Sequence, residues 1–331
     1  MSELLRARMM VAGCVTALAL AGCGGGGGGS SASIADQVPV GVPSPVGPVV
    51  PDPAPTPPSG APLVSEKIAT DGREWLNFRR AQVGLSTLAH STVVDIAAQR
   101  HSLYQATNNT ITHDQIVGRP GFTGADIPDR LTEAGYSFNK SASHAYGEVI
   151  SATSNGLGQY MAEELITAVY HRFVIFEPIF KEIGTGAATT GSGYNYFTTD
   201  FTSNNGYGAG LPAGQIVVWP FGGQTSVPRN FFSDTESPDP VPDRNEVGYP
   251  ISVHTNIDRA IQVSTFSVRP QGGADLAVRL LTSANDTHTK PPSAAIVPLA
   301  PLTANTVYEV SFSGSVGNIP VTRSWSFTTA R

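Results

Sequence analysis

Tyr146-Gly147-Glu148-Val149-Ile150, the run from Leu157 to Val169 with Tyr170-His171-Arg172 behind it, and Phe180-Lys181-Glu182-Ile183-Gly184-Thr185-Gly186 form the stretch on which this chain turns. Met161, Leu165, Ala168 and Val169 recur at helical spacing, so the middle of the stretch predicts a helix. The last part reads as a glycine-bearing strand. Glu148 and His171 bracket that helix, and a second imidazole, His113, lies upstream. Together they are the one constellation in the chain suited to chemistry. An imidazolium at a helix C-terminus is favoured by the macrodipole, but adjacent Arg172 meets that need, so the dipole does not account for His171.

Upstream, Val64, Ile68, Trp75, Leu76 and Val83 predict one helix, with Gly84 as its stop. Ser91 is placed to cap a second helix carrying Val94, Ala97, Ala98, His101 and Tyr104. His101 falls on its apolar side and reads as a packing residue. A third helix spans about Ala125 to Ala134, with Gly135 suited to the left-handed cap. Downstream, Tyr194 to Phe201 predicts an aromatic strand and Ile216 to Trp219 another. Helices followed by a small antiparallel sheet make an α+β, layered architecture.

Working further outward, Arg6 and Arg8 precede the short apolar run Met9 to Leu20, the pattern of a secretory signal over residues 1–22. Leu20-Ala21-Gly22-Cys23 resembles the lipobox of bacterial lipoproteins, in which the cysteine is lipidated; Cys23 is the expected site. Val11-Ala12-Gly13-Cys14 shares the short pattern but leaves no apolar region after Arg8. Gly24 in place of Asp favours the outer over the inner membrane. Cys14 and Cys23 are the only two cysteines, so the processed protein has no thiol for a disulfide, a zinc cluster or nucleophilic attack. Residues 23–61 carry six glycines directly after Cys23 and become Pro-rich, a composition too poor in apolar surface to offset ordering entropy, and are expected to be a tether. The net charge of -6 and the lack of a Lys/Arg cluster exclude a phosphate-tracking nucleic-acid binder. A monomer is expected.

Residues 62–212 then hold the helical unit, and 213–247, polar and carrying Pro228, Pro238, Pro240 and Pro242, reads as a connector. Over 248–331 come the alternating runs Tyr249 to Val253, Ile261 to Val268, Leu276 to Leu281, Thr306 to Phe312 and Val321 to Thr328. Turn signals at Gly272-Gly273, Pro291-Pro292 and Gly317-Asn318 separate them, as in a small β-sandwich. Pro298-x-x-Pro301-Leu302-x-x-Asn305-Thr306-x-Tyr308 and Trp325-Ser326-Phe327-Thr328-Thr329 resemble bacterial Ig-like modules of surface proteins.

In the helical unit, Leu76-Asn77-x-x-Arg80, Gly84-Leu85, Ala97-Ala98, His101-Ser102, Thr112-His113, Arg130-x-x-x-Ala134-Gly135-Tyr136, Gly147-Glu148, His171-Arg172, Pro178-x-Phe180 and Glu182-Ile183-Gly184-x-Gly186 occur in series. That series resembles the CAP superfamily of cysteine-rich secretory, antigen 5 and pathogenesis-related proteins (the SCP domain), nearest its disulfide-free bacterial branch. The resemblance implies an α-β-α sandwich with a cleft where two histidines and two acidic residues meet. His113 looks like the first histidine, Glu148 like the glutamate of the Gly-Glu-Asn motif, and His171 like the second histidine. Asp114, Asp126 and Asp129 stand as candidates for the other acid. The family further implies that paired histidines can hold a divalent cation such as zinc, here at His113 and His171. Val149 replaces the motif's Asn, Leu165 stands where bacterial relatives often carry Trp, and Ala168 where they often carry Ser.

Two functions fit these residues. One is a lipid-anchored, non-enzymatic module whose cleft holds a small apolar or glycan-like ligand; the other is a metal-dependent hydrolase of envelope material in which Glu148 activates water. No Gly-x-Ser-x-Gly elbow and no cysteine paired with histidine supports covalent hydrolysis. A passive surface or adhesion protein would need no cleft.

Overall fold

The computed structural model describes residues 58–331. The expected signal peptide, Cys23 and most of the tether lie outside them. The helical half runs α1 (Ile68–Gln82), β1 (Ala89–His90), α2 (Thr92–Asn108), α3 (Ile127–Glu133), β2 (Ala145–Thr153), α4 (Gly158–Thr167), α5 (Val169–Ile175), β3 (Glu182–Thr189) and β4 (Asn195–Ser203). Its sheet has the order β1-β3-β4-β2, antiparallel except for the short parallel pair of β1 and β3. Every residue of β4 is buried, and its alternation assigns the two faces. Thr198 accepts hydrogen bonds from Ser102 and Gln105 of α2, whereas Phe197 meets Gly72 of α1. The sheet thus lies between α2 and α3 on one side and α1, α4 and α5 on the other, the α-β-α sandwich that was expected. Gly184 and Gly186 make the first contact possible. A Cβ at Gly184 would stand 2.3 Å from the backbone of Val94, and one at Gly186 2.1 Å from that of Gln99.

The helix predicted through Leu157 to Val169 is two helices. Ala168 adopts extended backbone (φ -68, ψ 122), and the chain restarts as α5. His171 accordingly sits near the start of a helix and not at the end of one. The amides freed by the break are taken by a distant carboxylate: Val169, Tyr170 and His171 N–H all donate to Glu236.

The second half contains β5 (Val217–Trp219), β6 (Asn230–Phe232), β7 (Glu246–Gly248), β8 (Ile251–His254), β9 (Ile261–Pro270), β10 (Val278–Leu281), β11 (Ser293–Pro298), β12 (Val307–Val316) and β13 (Ile319–Thr328). One sheet has the order β10-β11-β8-β5, the other β13-β12-β9, and β6 and β7 pair alone. Phe266, Val310, Phe312 and Trp325 from one sheet and Ile251, Val253 and Ile296 from the other belong to one core. The four-stranded sheet is covered on its outer side as well. Ala295, Val297 and Leu281 pack with Val169, Tyr170 and Phe173 of α5. The segment 213–247, expected as a connector, supplies β5 to this sheet and carries β6, the start of β7 and the buried Glu236.

The two halves share one apolar interior that runs from Trp75 and Phe176 through Trp219 to Phe327. Buried polar side chains stitch it. Arg172 donates to Ile166 O and Thr167 O on its own side and to Pro250 O and Ser252 Oγ across the joint, at 2.5–3.1 Å, with its guanidinium over Tyr249. Glu177 accepts from the amides of Ile179 and Ile257, and burial pushes its carboxyl up to about 8. Arg79 lies over the rings of both Trp75 and Trp219.

Candidate functional site

Glu148 leaves β2 on the α2 side of the sheet, opposite Asp200 of β4. After α2 the chain turns through Asn109 in the left-handed region (φ 48) and brings His113 back over the same face. His113 Nδ1–H donates to Glu148 Oε1 at 2.8 Å, and Arg130 Nη2–H to Glu148 Oε2 at 2.7 Å. A second Arg130 nitrogen donates to His113 O at 2.6 Å, so one guanidinium fixes both the carboxylate and the loop that carries the imidazole. His101 completes the group 3.9 Å from Glu148. Its Nε2–H donates to Thr112 O and its Nδ1 accepts from Gln115, an arrangement that requires the neutral ring. Burial, reinforced by Arg130 and His113 against the pull of Glu148, lowers the His101 pKa to about 4. At Glu148 burial opposes ionisation, but the charge of Arg130 and the hydrogen bond from His113 outweigh it and hold the carboxyl well below the usual range. Asp200, buried beside that charge, is raised well above its ordinary value.

The side chains of Glu148, Arg130 and His101 have no exposure, and that of His113 only 3%. This cluster lies under the surface. The open space is a neighbouring cavity of about 740 Å³, and His171 borders it while His113 and Glu148 do not. Four consecutive residues of β2, Ile150 to Thr153, line it. Successive side chains of a strand point to opposite faces, so only the free edge of β2, the last strand of its sheet, can present all four. Ile111, two positions before His113, and Tyr194 close one side; α4 and the segment 230–237 form the others.

His171 Nδ1–H donates to Glu236 Oε1 at 3.1 Å, which leaves Nε2 outside that bond. The sequence gives no local sign of Glu236, which stands in the polar run Ser233-Asp234-Thr235-Glu236-Ser237 and reaches His171 only through the fold.

The expected tetrad is therefore divided. His113 and Glu148 do meet; His171 bonds to a different carboxylate. Asp126 and Asp129 do not join either group. Asp126 is the N-cap of α3 and accepts from Asp129 N, while Asp129 accepts from Ala125 N, the ordinary work of short acids at a helix start. Asp114 is exposed. The residues that do complete the cluster, Arg130, His101 and Asp200, were legible as motif, core and strand positions but not as site residues. A divalent metal held jointly by His113 and His171 does not fit this arrangement. Among the described residues no three His, Cys, Asp or Glu side chains are grouped as a metal ion would require, and His171 borders the cavity while His113 does not.

Residues 74–201 match the profile of the CAP family, the cysteine-rich secretory protein family, and this chain carries a CAP domain. Similar solved structures include an extracellular protein containing an SCP domain from Bacillus anthracis (21% identity, 45% of this chain and 44% of that one, TM-score 0.35). An outer surface protein of Borrelia burgdorferi (15%, 40% and 89%, 0.34) and a cysteine-rich secretory protein of Staphylococcus aureus (15%, 41% and 38%, 0.30) are also similar. The chain spans less than half the length of the Bacillus anthracis protein. No curated protein matches it. Glu236 and the cavity wall contributed by the segment 230–237 fall outside the matched residues.

Proposed function

We propose that this is a lipid-anchored extracytoplasmic CAP-domain protein that captures a ligand in the cavity beside His171 and does not turn it over. The observation that carries this reading is the enclosure of Glu148. A general base must reach the proton it removes and have a pKa near the working pH. Glu148 has no exposed side-chain surface, is bonded to Arg130 and His113, and is held strongly acidic. Those are the properties of a structural ion pair. The cavity has the volume of a small-molecule site. Anchoring rests on Leu20-Ala21-Gly22-Cys23 and the Gly- and Pro-rich residues behind it, and an envelope location follows from it.

The test uses peptidoglycan, casein and lipid vesicles with the wild-type chain and with Ala168→Trp, which fills the cavity wall. Capture of one of these by the wild type, weakened at least tenfold in the variant and with no released product, is expected. Product formation that is abolished by Glu148→Gln in a folded protein would replace this reading with the hydrolase.

A further inference from the structure

We propose that the cavity takes an organic cation bearing a primary ammonium group. This rests on the reading of the cavity as a ligand site and names the chemistry of its occupant. Three carboxylates face the cavity, Glu163, Glu164 and Asp234, and no Lys or Arg does. Glu163 is already neutralised, since Arg79 donates to both of its oxygens at 2.9 Å and Trp75 Nε1–H to one of them. Glu164 is not. The Tyr160 hydroxyl and, at 3.5 Å, Ser151 Oγ–H donate to it, but both donors are neutral, and among the described residues neither Glu164 nor Asp234 forms an ion pair.

Aromatic rings stand beside these two carboxylates. Tyr160 and Phe232 are 43% and 46% exposed, two of the few large apolar side chains left in solvent, and both line this cavity together with Tyr194. Ring faces attract cations, and carboxylates accept the N–H bonds of an ammonium. An anion would meet two unneutralised negative groups in a partly enclosed space, and a purely apolar occupant would strip water from Glu164 and give nothing back. Of the common ligand charges only the positive one satisfies both the acids and the rings. The wall is also composite. Glu164 and Tyr160 come from α4 of the CAP domain, Phe232 and Asp234 from the segment beyond it, so charge and rings meet only in the full chain.

The test compares two probes of matched length, 1,6-diaminohexane and 1,6-hexanediol, by calorimetry on residues 58–331. The diamine is expected to bind at least tenfold more tightly than the diol and to weaken as salt is raised. Glu164→Gln should cost the diamine at least tenfold and leave the diol unchanged. Asp234→Asn, at an exposed position where folding is not at stake, should cost it severalfold. Equal binding of both probes, or diamine binding unaffected by both substitutions, would overturn the cation while leaving the cavity as a ligand site. Binding of neither probe would also overturn the cation; capture of vesicles or glycan that is lost in Ala168→Trp would then still uphold the broader reading.

Discussion

Replacing Glu148 by Gln tests whether the buried cluster is a structural ion pair. The substitution keeps the shape of the side chain and removes its charge, so Arg130 is left ionised with no exposed side-chain surface and no counter-charge within hydrogen-bonding distance. His113 Nδ1–H keeps a carbonyl to donate to, but Arg130 Nη2–H and the Gln amide then compete as two donors. Removing one partner of a buried pair typically costs about 3–5 kcal/mol. At about 2–4 °C per kcal/mol for a unit of this size, the melting temperature should fall by roughly 10 °C. Paired urea and thermal melts would read both quantities. The companion double variant, Glu148→Leu with Arg130→Met, removes both charges and should recover most of the loss, because the penalty lies in the orphaned guanidinium. A Glu148→Gln protein within about 1 kcal/mol of wild type, or a double variant worse than the single one, would refute the reasoning and return Glu148 to the list of reactive groups.

Glu236→Ala removes the acceptor of three α5 amides and of the His171 ring, and should lower stability by about 2–4 kcal/mol. Nitrogen NMR should also show the His171 tautomer released in Glu236→Ala and in the milder Glu236→Gln; an unchanged His171 signal would contradict the assigned hydrogen bond. Glu177 has a folded pKa raised from 4.5 to about 8, so the folded state holds its proton where the unfolded chain does not. Stability should therefore be fully present below about pH 4.5 for this group and be lost as pH rises through about 8, by an amount on the order of a few kcal/mol. Glu177→Gln should flatten that decline in melts taken between pH 5 and 9. Gly184→Ala places a methyl 2.3 Å from the Val94 backbone and should cost at least about 1–3 kcal/mol by forcing α2 off β3, read as a lowered urea midpoint.

The helical half was legible because its surfaces alternate. α2 carries Val94, Ala97, Ala98 and His101 on one buried side, and the three helices predicted before Gly135 exist. β11 was missed for the opposite reason. Ser293-Ala294-Ala295-Ile296-Val297-Pro298 is buried at every position, with one sheet face against the sandwich core and the other against α5. A strand covered on both sides has no period of two to detect, and the prolines around it read as turns. The break at Ala168 was hidden because Met161, Leu165 and Val169 keep helical spacing across it, and what caps the restart is a carboxylate more than sixty positions away. In the site, the pairing of His113 with Glu148 followed from serial motifs, since both belong to the CAP domain. The partner of His171 did not, because it enters from outside that domain and a lone acid in a polar run carries no mark of its destination.

The unbroken interior from Trp75 to Phe327 sets what can be inherited as a piece. A recombination event that moved only the CAP half to another gene would strip Trp219 from beside Arg79 and leave Arg172 with half its acceptors in solvent. The transplanted fragment would be sticky before it was useful. The two halves are packed into each other, and the CAP match that ends at residue 201 stops where the interior does not.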